Sequence, residues 1–409
     1  MRRVRRWFFG RAAVIDVRRG HAARLRTLLN AGADPNWRTK HGPGWRLLDI
    51  AILHGHREIV DVLLGAGADP DAGNDDGSTA VHTAAGVARP AIMRALLEAG
   101  GNPNRQANLG ATPLHRAMMF GTEGVPELGT EGFPESLRIT QENTVVVGAD
   151  SAAEPQNPVE VAEVLLDAGA DPNAEIPFVG TPVHLLAGRS RFVRATGPES
   201  GVTEELLAAI KRGGAYIDRT TTDGGNLAPI HTAVRTGPEA VRMLLEAGAD
   251  PDTGALQGTT ALHYAVVAHG TKIVIAHGGG LDSIKLLLDG GANPNSRTWT
   301  EVRAGPYKEH TLRAAEGLDA ALNDRGYRYR DGTLSDVVSS SWADAVGGMT
   351  PLHLAAGLDL AEAIRLLRLG GADPDLVDEN GATPLELAER RGCAAAAGAL
   401  RERLDERPQ

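Results

Sequence analysis

Six histidines, His82, His115, His184, His231, His263 and His353, have the greatest chemical reach in this chain. An imidazole can ligate a metal, relay a proton or activate a nucleophile. Each of the six closes a recurring phrase: GSTAVH (77–82), GATPLH (110–115), GTPVH (180–184), LAPIH (227–231), GTTALH (258–263) and GMTPLH (348–353). A ligand set must converge on one point, whereas residues repeated at a fixed interval are spread along the molecule, so a scaffold role is expected for all six. His269 and His277 lie in HGTKIVIAHGGG (269–280), at a spacing that fits no zinc pattern and without accompanying cysteines. The glycines at 278–280 lack the Lys-Ser/Thr of a phosphate loop. Cys393 is the single cysteine, has no His or Cys nearby in sequence, and reads as structural filler. No serine sits in a G-x-S-x-G elbow. The expectation is a protein without catalytic residues, cofactor or metal.

The elements that carry these residues follow from a second recurring phrase: NAGADPN, GAGADPD, EAGGNPN, DAGADPN, RGGAYID, EAGADPD, DGGANPN and LGGADPD. Its aligned glycines are Gly32, Gly67, Gly100, Gly169, Gly214, Gly248, Gly291 and Gly371, separated by 35, 33, 69, 45, 34, 43 and 80 residues. Each separation is close to 33 plus an insertion, so one period accounts for the chain. In GATPLHRA, Thr112 is placed to cap a helix and Pro113 to occupy its first turn, where a missing N–H costs nothing. In VEVAEVLLDAG (159–169), Val161, Val164, Leu165 and Ala168 form one stripe, and Gly169 ends the second helix. Asp171-Pro172-Asn173 then turns the chain into a hairpin finger. One such helix pair cannot bury its apolar face alone, so neighbours must stack.

The two phrases at this period resemble the ankyrin repeat, and the resemblance covers nearly the whole chain. It implies an all-α solenoid of helix–turn–helix units with hairpin fingers, in which the periodic histidine bonds the backbone of the neighbouring turn. The expected arrangement is a single array, 1–409, with repeats at about 10–36, 42–71, 76–104, 109–173, 178–218, 223–252, 257–295, 347–375 and 380–404. Insertions fall at 122–157, 189–200 and 271–280, each between first and second helices, and at 296–346 between repeats. Residues 44–51 (GWRLLDIA) are a degraded first helix, and the first and last units read as caps.

Composition narrows the function classes. Hydrophobic residues make up 42% and aromatics 4%, which suits small-residue helix packing. A net charge of −10 argues against nucleic acid as the general partner, and no apolar run is long enough to span a membrane. One cysteine fits a reducing compartment, so a cytoplasmic protein is expected, and a monomer is the accompanying expectation. Residues 1–26 depart from this balance, with nine arginines and one acid, Asp16. The start MRRVRRWFFG is similar to a twin-arginine export signal, but Arg11, Asp16, Arg18 and Arg19 interrupt the apolar stretch such a signal needs. Trp7, Phe8 and Phe9 are expected to cover the open end of the first repeat, while an anionic membrane or acidic partner is the alternative use of the arginines.

Partner contacts are expected in two places. The resemblance implies a concave groove with variable positions at Leu53, Val87, Met119, Phe120, Val267 and Leu358, all apolar here. The insertion 296–346 holds Trp299, Tyr307, Tyr327, Tyr329 and Trp342, half of the ten Trp and Tyr residues of the chain. Met119, Phe120 and these five aromatics are the candidate partner-binding residues. Insertion 122–157 carries seven acids against Arg138 and would suit a basic partner. The resulting expectation is a non-catalytic scaffold for another protein. Two alternatives stand beside it: an inhibitor or immunity-type protein masking a basic toxin or enzyme, and an enzyme or metal-binding protein with its site in the insertions.

Overall fold

The computed structural model describes residues 2–39, 44–119, 156–177, 179–189, 200–222, 226–255, 258–271, 280–298 and 347–402, with residues 2–8 described by their backbone alone. The chain divides into two compact units, Met1–Tyr216 and Ile217–Gln409. Among the described residues both are helical, and β-pairing is limited to the isolated bridges Arg38–Arg46 and Ile176–Gly180.

The first unit is built from helix pairs. They are α1 (Arg2–Arg18) with α2 (Ala22–Asn30), α3 (Leu47–Leu53) with α4 (Arg57–Gly65), α5 (Ala80–Gly86) with α6 (Pro90–Glu98), α7 (Pro113–Met118) with α8 (Pro158–Asp167), and α9 (Pro182–Arg189) with α10 (Ser200–Arg212). The second holds α11 (Pro229–Thr236) with α12 (Pro238–Glu246), α13 (Ala261–Thr271) with α14 (Gly280–Asp289), α15 (Pro351–Gly357) with α16 (Ala361–Leu369), and α17 (Pro384–Arg391) with α18 (Ala394–Arg401). Within each unit, first helices pack on first helices and second on second. The stacked layers bury one stripe per helix: Ile59, Val60 and Leu63 on α4, Ile92, Met93 and Leu96 on α6, Val161 and Leu165 on α8. Helices of seven to ten residues are too short to persist alone, so this shared burial is what holds them.

Two glycine requirements are visible. The eight aligned glycines after the second helices all have φ between +86° and +94°, a conformation open to glycine at little cost, and a side chain at Gly32, Gly67 or Gly169 would meet nothing. The backbone angle, not space, selects glycine there. Gly10 is the opposite case: a Cβ would fall 2.1 Å from the ring of Trp37, so the indole lies directly on the α1 backbone.

The fingers are tied to one another by a ladder of side-chain amides and carboxylates. The Asn36 amide donates to the Gly67 carbonyl (3.2 Å) while its oxygen accepts from the Asp69 N–H (2.8 Å). Asn104 repeats this with Gly169 and Asp171, Asn173 with Gly214 and Tyr216, and Asn295 with Gly371 and Asp373. Asp71, Asp218 and Asp252 keep only the accepting half, from the N–H groups of Asn102, Asp250 and Asn293. On the second-helix side, exposed ion pairs cross between repeats: Arg26–Glu58, Arg94–Glu160, Arg212–Glu163 and Arg365–Glu402. Screened by water, exposed pairs of this kind contribute little. The ladder yields a graded expectation. Asn104→Ala removes two exposed bonds and should cost about 1 kcal/mol, Asn104→Asp roughly half of that, measured by urea denaturation.

Candidate interaction surface

The histidine phrase closes into the same arrangement wherever it occurs. At His82, His115, His184, His231, His263 and His353 the Nδ1 atom accepts the N–H of the residue three positions earlier, at 3.0–3.2 Å. Where that residue is threonine, its hydroxyl meets the same nitrogen at 2.8–2.9 Å. A backbone N–H can only donate, so Nδ1 carries no proton and Nε2 does. The Nε2–H then donates to the next repeat: His82 to the Ala111 carbonyl (3.1 Å), His231 to Thr259 (3.3 Å), His263 to Met349 (3.2 Å) and His353 to Ala382 (3.0 Å). Nε2 of His115 lies beside the Gly180 carbonyl but outside ordinary hydrogen-bond geometry.

Burial holds these rings neutral. It pushes the pKa of His82, His115 and His263 down to about 4, and that of His353 down as well, against the pull of the carbonyls they bond. With both ring nitrogens of the bridging histidines engaged, the imidazoles have no lone pair for a metal and no access to a substrate. Among the described residues no group of His, Cys, Asp or Glu is arranged to hold a metal ion. His269 packs against Gly280, Cys393 is half-buried with its thiol 3.7 Å from the Gly357 carbonyl, and His277 lies outside the described residues.

The second repeat departs from this scheme. Asp49 stands where the others have histidine, and its buried carboxylate accepts the Arg46 N–H (3.0 Å) and the Thr83 hydroxyl (3.0 Å). Burial raises its pKa to about 6, opposed by those two hydrogen bonds and by the Arg46 charge. Arg46 replaces the capping threonine and spans two fingers, donating to the carbonyls of Asn36 (3.2 Å) and Gly73 (3.0 Å).

The groove positions expected from the sequence separate on this framework. Leu53 and Val87 are buried and are corrected from surface to core: the ends of these first helices lie under the next repeat. Met119 and Val267 are half-buried, and Leu358 is exposed. Phe120, Trp299, Tyr307, Tyr327, Tyr329 and Trp342 lie outside the described residues. The sequence reading missed the fingers themselves, which expose Val179 (44%) and Tyr216 (65%) in the first unit and Val377 in the second. Tyr216 had a readable signal, since RGGAYID places tyrosine where the other fingers have Asp or Asn. Its N–H still joins the ladder through Asn173, so the ladder bond there does not depend on the side-chain type.

With this geometry in place, comparison with known proteins is decisive. The family model for ankyrin repeats in three copies matches residues 48–132 and 199–298, and the single ankyrin repeat model matches 347–379. The chain belongs to the ankyrin repeat family. Curated relatives include human SH3 and multiple ankyrin repeat domains protein 2, 27% identical over 56% of this chain and 11% of that protein, and human Rabankyrin-5, 27% identical over 68% of this chain and 18% of that protein. A putative ankyrin repeat-containing protein of Treponema pallidum (strain Nichols) is 32% identical over 33% of this chain and 38% of its own length. The chain thus spans well under half the length of these relatives. The crystal structure of the human ASB11 ankyrin repeat domain is similar at 21% identity and a TM-score of 0.46, covering 69% of this chain and 98% of that one.

The neutral histidines give the ankyrin stack a defined response to acid. Their folded pKa lies below the unfolded value, so the stability they confer is full above about pH 6.5 and is lost as pH falls towards 4, about 3 kcal/mol for each ring at most. Asp49 acts in the opposite sense, its contribution being present below pH 3.8 and lost through pH 6, but it is one group against several. Urea midpoints should therefore fall between pH 7 and pH 5. Asp49→Asn should gain stability relative to wild type above pH 6 and lose that advantage near pH 4.

Proposed function

We propose that the chain is a non-catalytic interaction module that binds another protein through its finger side. The observation that carries this reading is the division of labour in the repeats. The chemically versatile residues are consumed in holding the stack, while apolar side chains are left exposed on fingers that the ladder already fixes. Val179 and Tyr216 in the first unit, and Val377 in the second, are large hydrophobic groups left exposed on the fingers. Tyrosine on a rigid backbone adds contact area at small entropic cost, which is why it recurs at binding hot spots. Membership of the ankyrin repeat family supports the same reading, since its repeats are generally non-catalytic interaction modules.

The finger carboxylates favour a basic partner as the narrower form of this proposal. Asp69 and Asp171 in the first unit, and Asp250 and Asp373 in the second, are exposed on the fingers of their own unit. An inhibitor or immunity-type role toward a basic enzyme or toxin would use those carboxylates and would be salt-sensitive.

The test is quantitative capture from a lysate of the source cells, with wild type, Tyr216→Ala/Val179→Ser, and a second-helix control, Arg94→Ala. The finger variant should reduce recovery of specific partners at least about tenfold while the control does not, as expected where hot-spot side chains supply 1.4 kcal/mol or more. Equal recovery by all three chains would place binding elsewhere.

A further inference from the structure

Helix α1 overruns its own repeat. Gly20 and Gly55 follow the first helices of successive pairs with the same φ of +70°, so α3, Leu47–Leu53, corresponds to residues 12–18 of α1. Residues 2–11 are therefore ten additional helical residues, about 15 Å of helix at 1.5 Å per residue. The helix is held along one side, where Gly10, Ala13, Asp16 and Val17 are buried against the first and second repeats. On the opposite side the register sets Val4, Phe8, Arg11 and Ile15 in one line, at i, i+4, i+7 and i+11. Arg11 and Ile15 are exposed, Ile15 by 51%.

The charge of this helix is one-sided. Nine arginines less one aspartate leave +8 on residues 1–26, and the −10 of the whole chain then leaves −18 on the rest. The one acid does not soften the helix surface, because Asp16 is buried and turned toward His21 Nδ1 (3.3 Å) and Arg24 Nε (3.4 Å). We propose that α1 docks the protein onto an anionic lipid surface, lying in the plane with the Val4, Phe8 and Ile15 positions toward the acyl chains and Arg11, on the same line, reaching back to the headgroups. An apolar line beside arginines satisfies both layers of such a surface, whereas a nucleic acid would use the arginines and leave the line in water. With arginines at 2, 3, 5, 6, 11 and 18 the helix cannot cross a bilayer, so it binds from one side.

The experiment is co-sedimentation of the full chain with phosphatidylcholine vesicles, with and without phosphatidylserine, at low and physiological salt. Each arginine near an anionic surface changes partitioning about fivefold, so Arg5→Glu/Arg6→Glu should abolish pelleting. Val4→Ser/Phe8→Ser should reduce it several-fold. Both variants precede Gly10, the first buried position among the described side chains, and thermal melts beside wild type separate lost binding from lost folding. Pelleting that does not depend on phosphatidylserine would overturn the proposal. So would retention of full binding by Val4→Ser/Phe8→Ser combined with competition by a DNA duplex, which would show a general polyanion site.

Discussion

The stack depends on a neutral imidazole used from both ends. Nδ1 closes the start of its own helix and Nε2–H crosses to the backbone of the next repeat, so one side chain fixes a local cap and an inter-repeat distance together. The two exceptions clarify the requirement. In the ninth helix pair Glu386 replaces histidine, and its carboxylate accepts the Thr383 N–H. In the second pair Asp49 has the acceptor but no donor, and the link to the next repeat is reversed, with the Thr83 hydroxyl donating back to Asp49. An acceptor toward the cap is thus common to every version, while the direction of the inter-repeat bond can change. Leaving the donor or acceptor unmatched in the dry core would cost more than either substitution.

The finger ladder obeys similar logic at lower stakes. Asparagine spans two groups of the next repeat and aspartate only one, and the chain uses either at this exposed site, where water can take the missing bond. Finger conformation is therefore set by many small constraints, none individually decisive. That suits a recognition edge. Side chains such as Tyr216 can change type without disturbing the backbone that presents them, since the ladder bond at this position uses the main-chain N–H.

The parts of the sequence that were legible are those where one physical demand recurs. Periodic His, Thr-Pro and Gly each answer a fixed geometric need, so the helix pairs and a scaffold role for the histidines could be read from spacing, while the bond to the neighbouring turn came with the resemblance to the ankyrin repeat. Positions that depend on a neighbour's shape could not. Leu53 and Val87 look like surface residues by register, but the following repeat covers them. The length of α1 was hidden for another reason. Its first ten residues are rich in arginine, a good helix former without an apolar rhythm, so the repeat appeared to begin near residue 10. Phe120 and the aromatics of 296–346 lie outside the described residues, and their use is still an expectation from sequence.

Charge separation gives the two proposed surfaces their independence. If the −18 of the remaining chain acted at long range, it would repel the anionic lipid that the +8 of residues 1–26 attracts. At physiological ionic strength such fields decay over about 8 Å, which is less than the added length of α1 itself. What matters is therefore the charge close to the docking face, and there the single carboxylate is folded inward against His21 and Arg24. Burying Asp16 while leaving Arg11, Arg18 and Arg19 exposed sorts the charges of α1 and the turn after it by depth, with the acid inside and these bases outside. The acidic finger edge is sorted differently, by sequence position within each repeat. An ankyrin stack allows both arrangements in one chain because each repeat contacts only its neighbours, so the terminal unit can carry a surface that the others do not share.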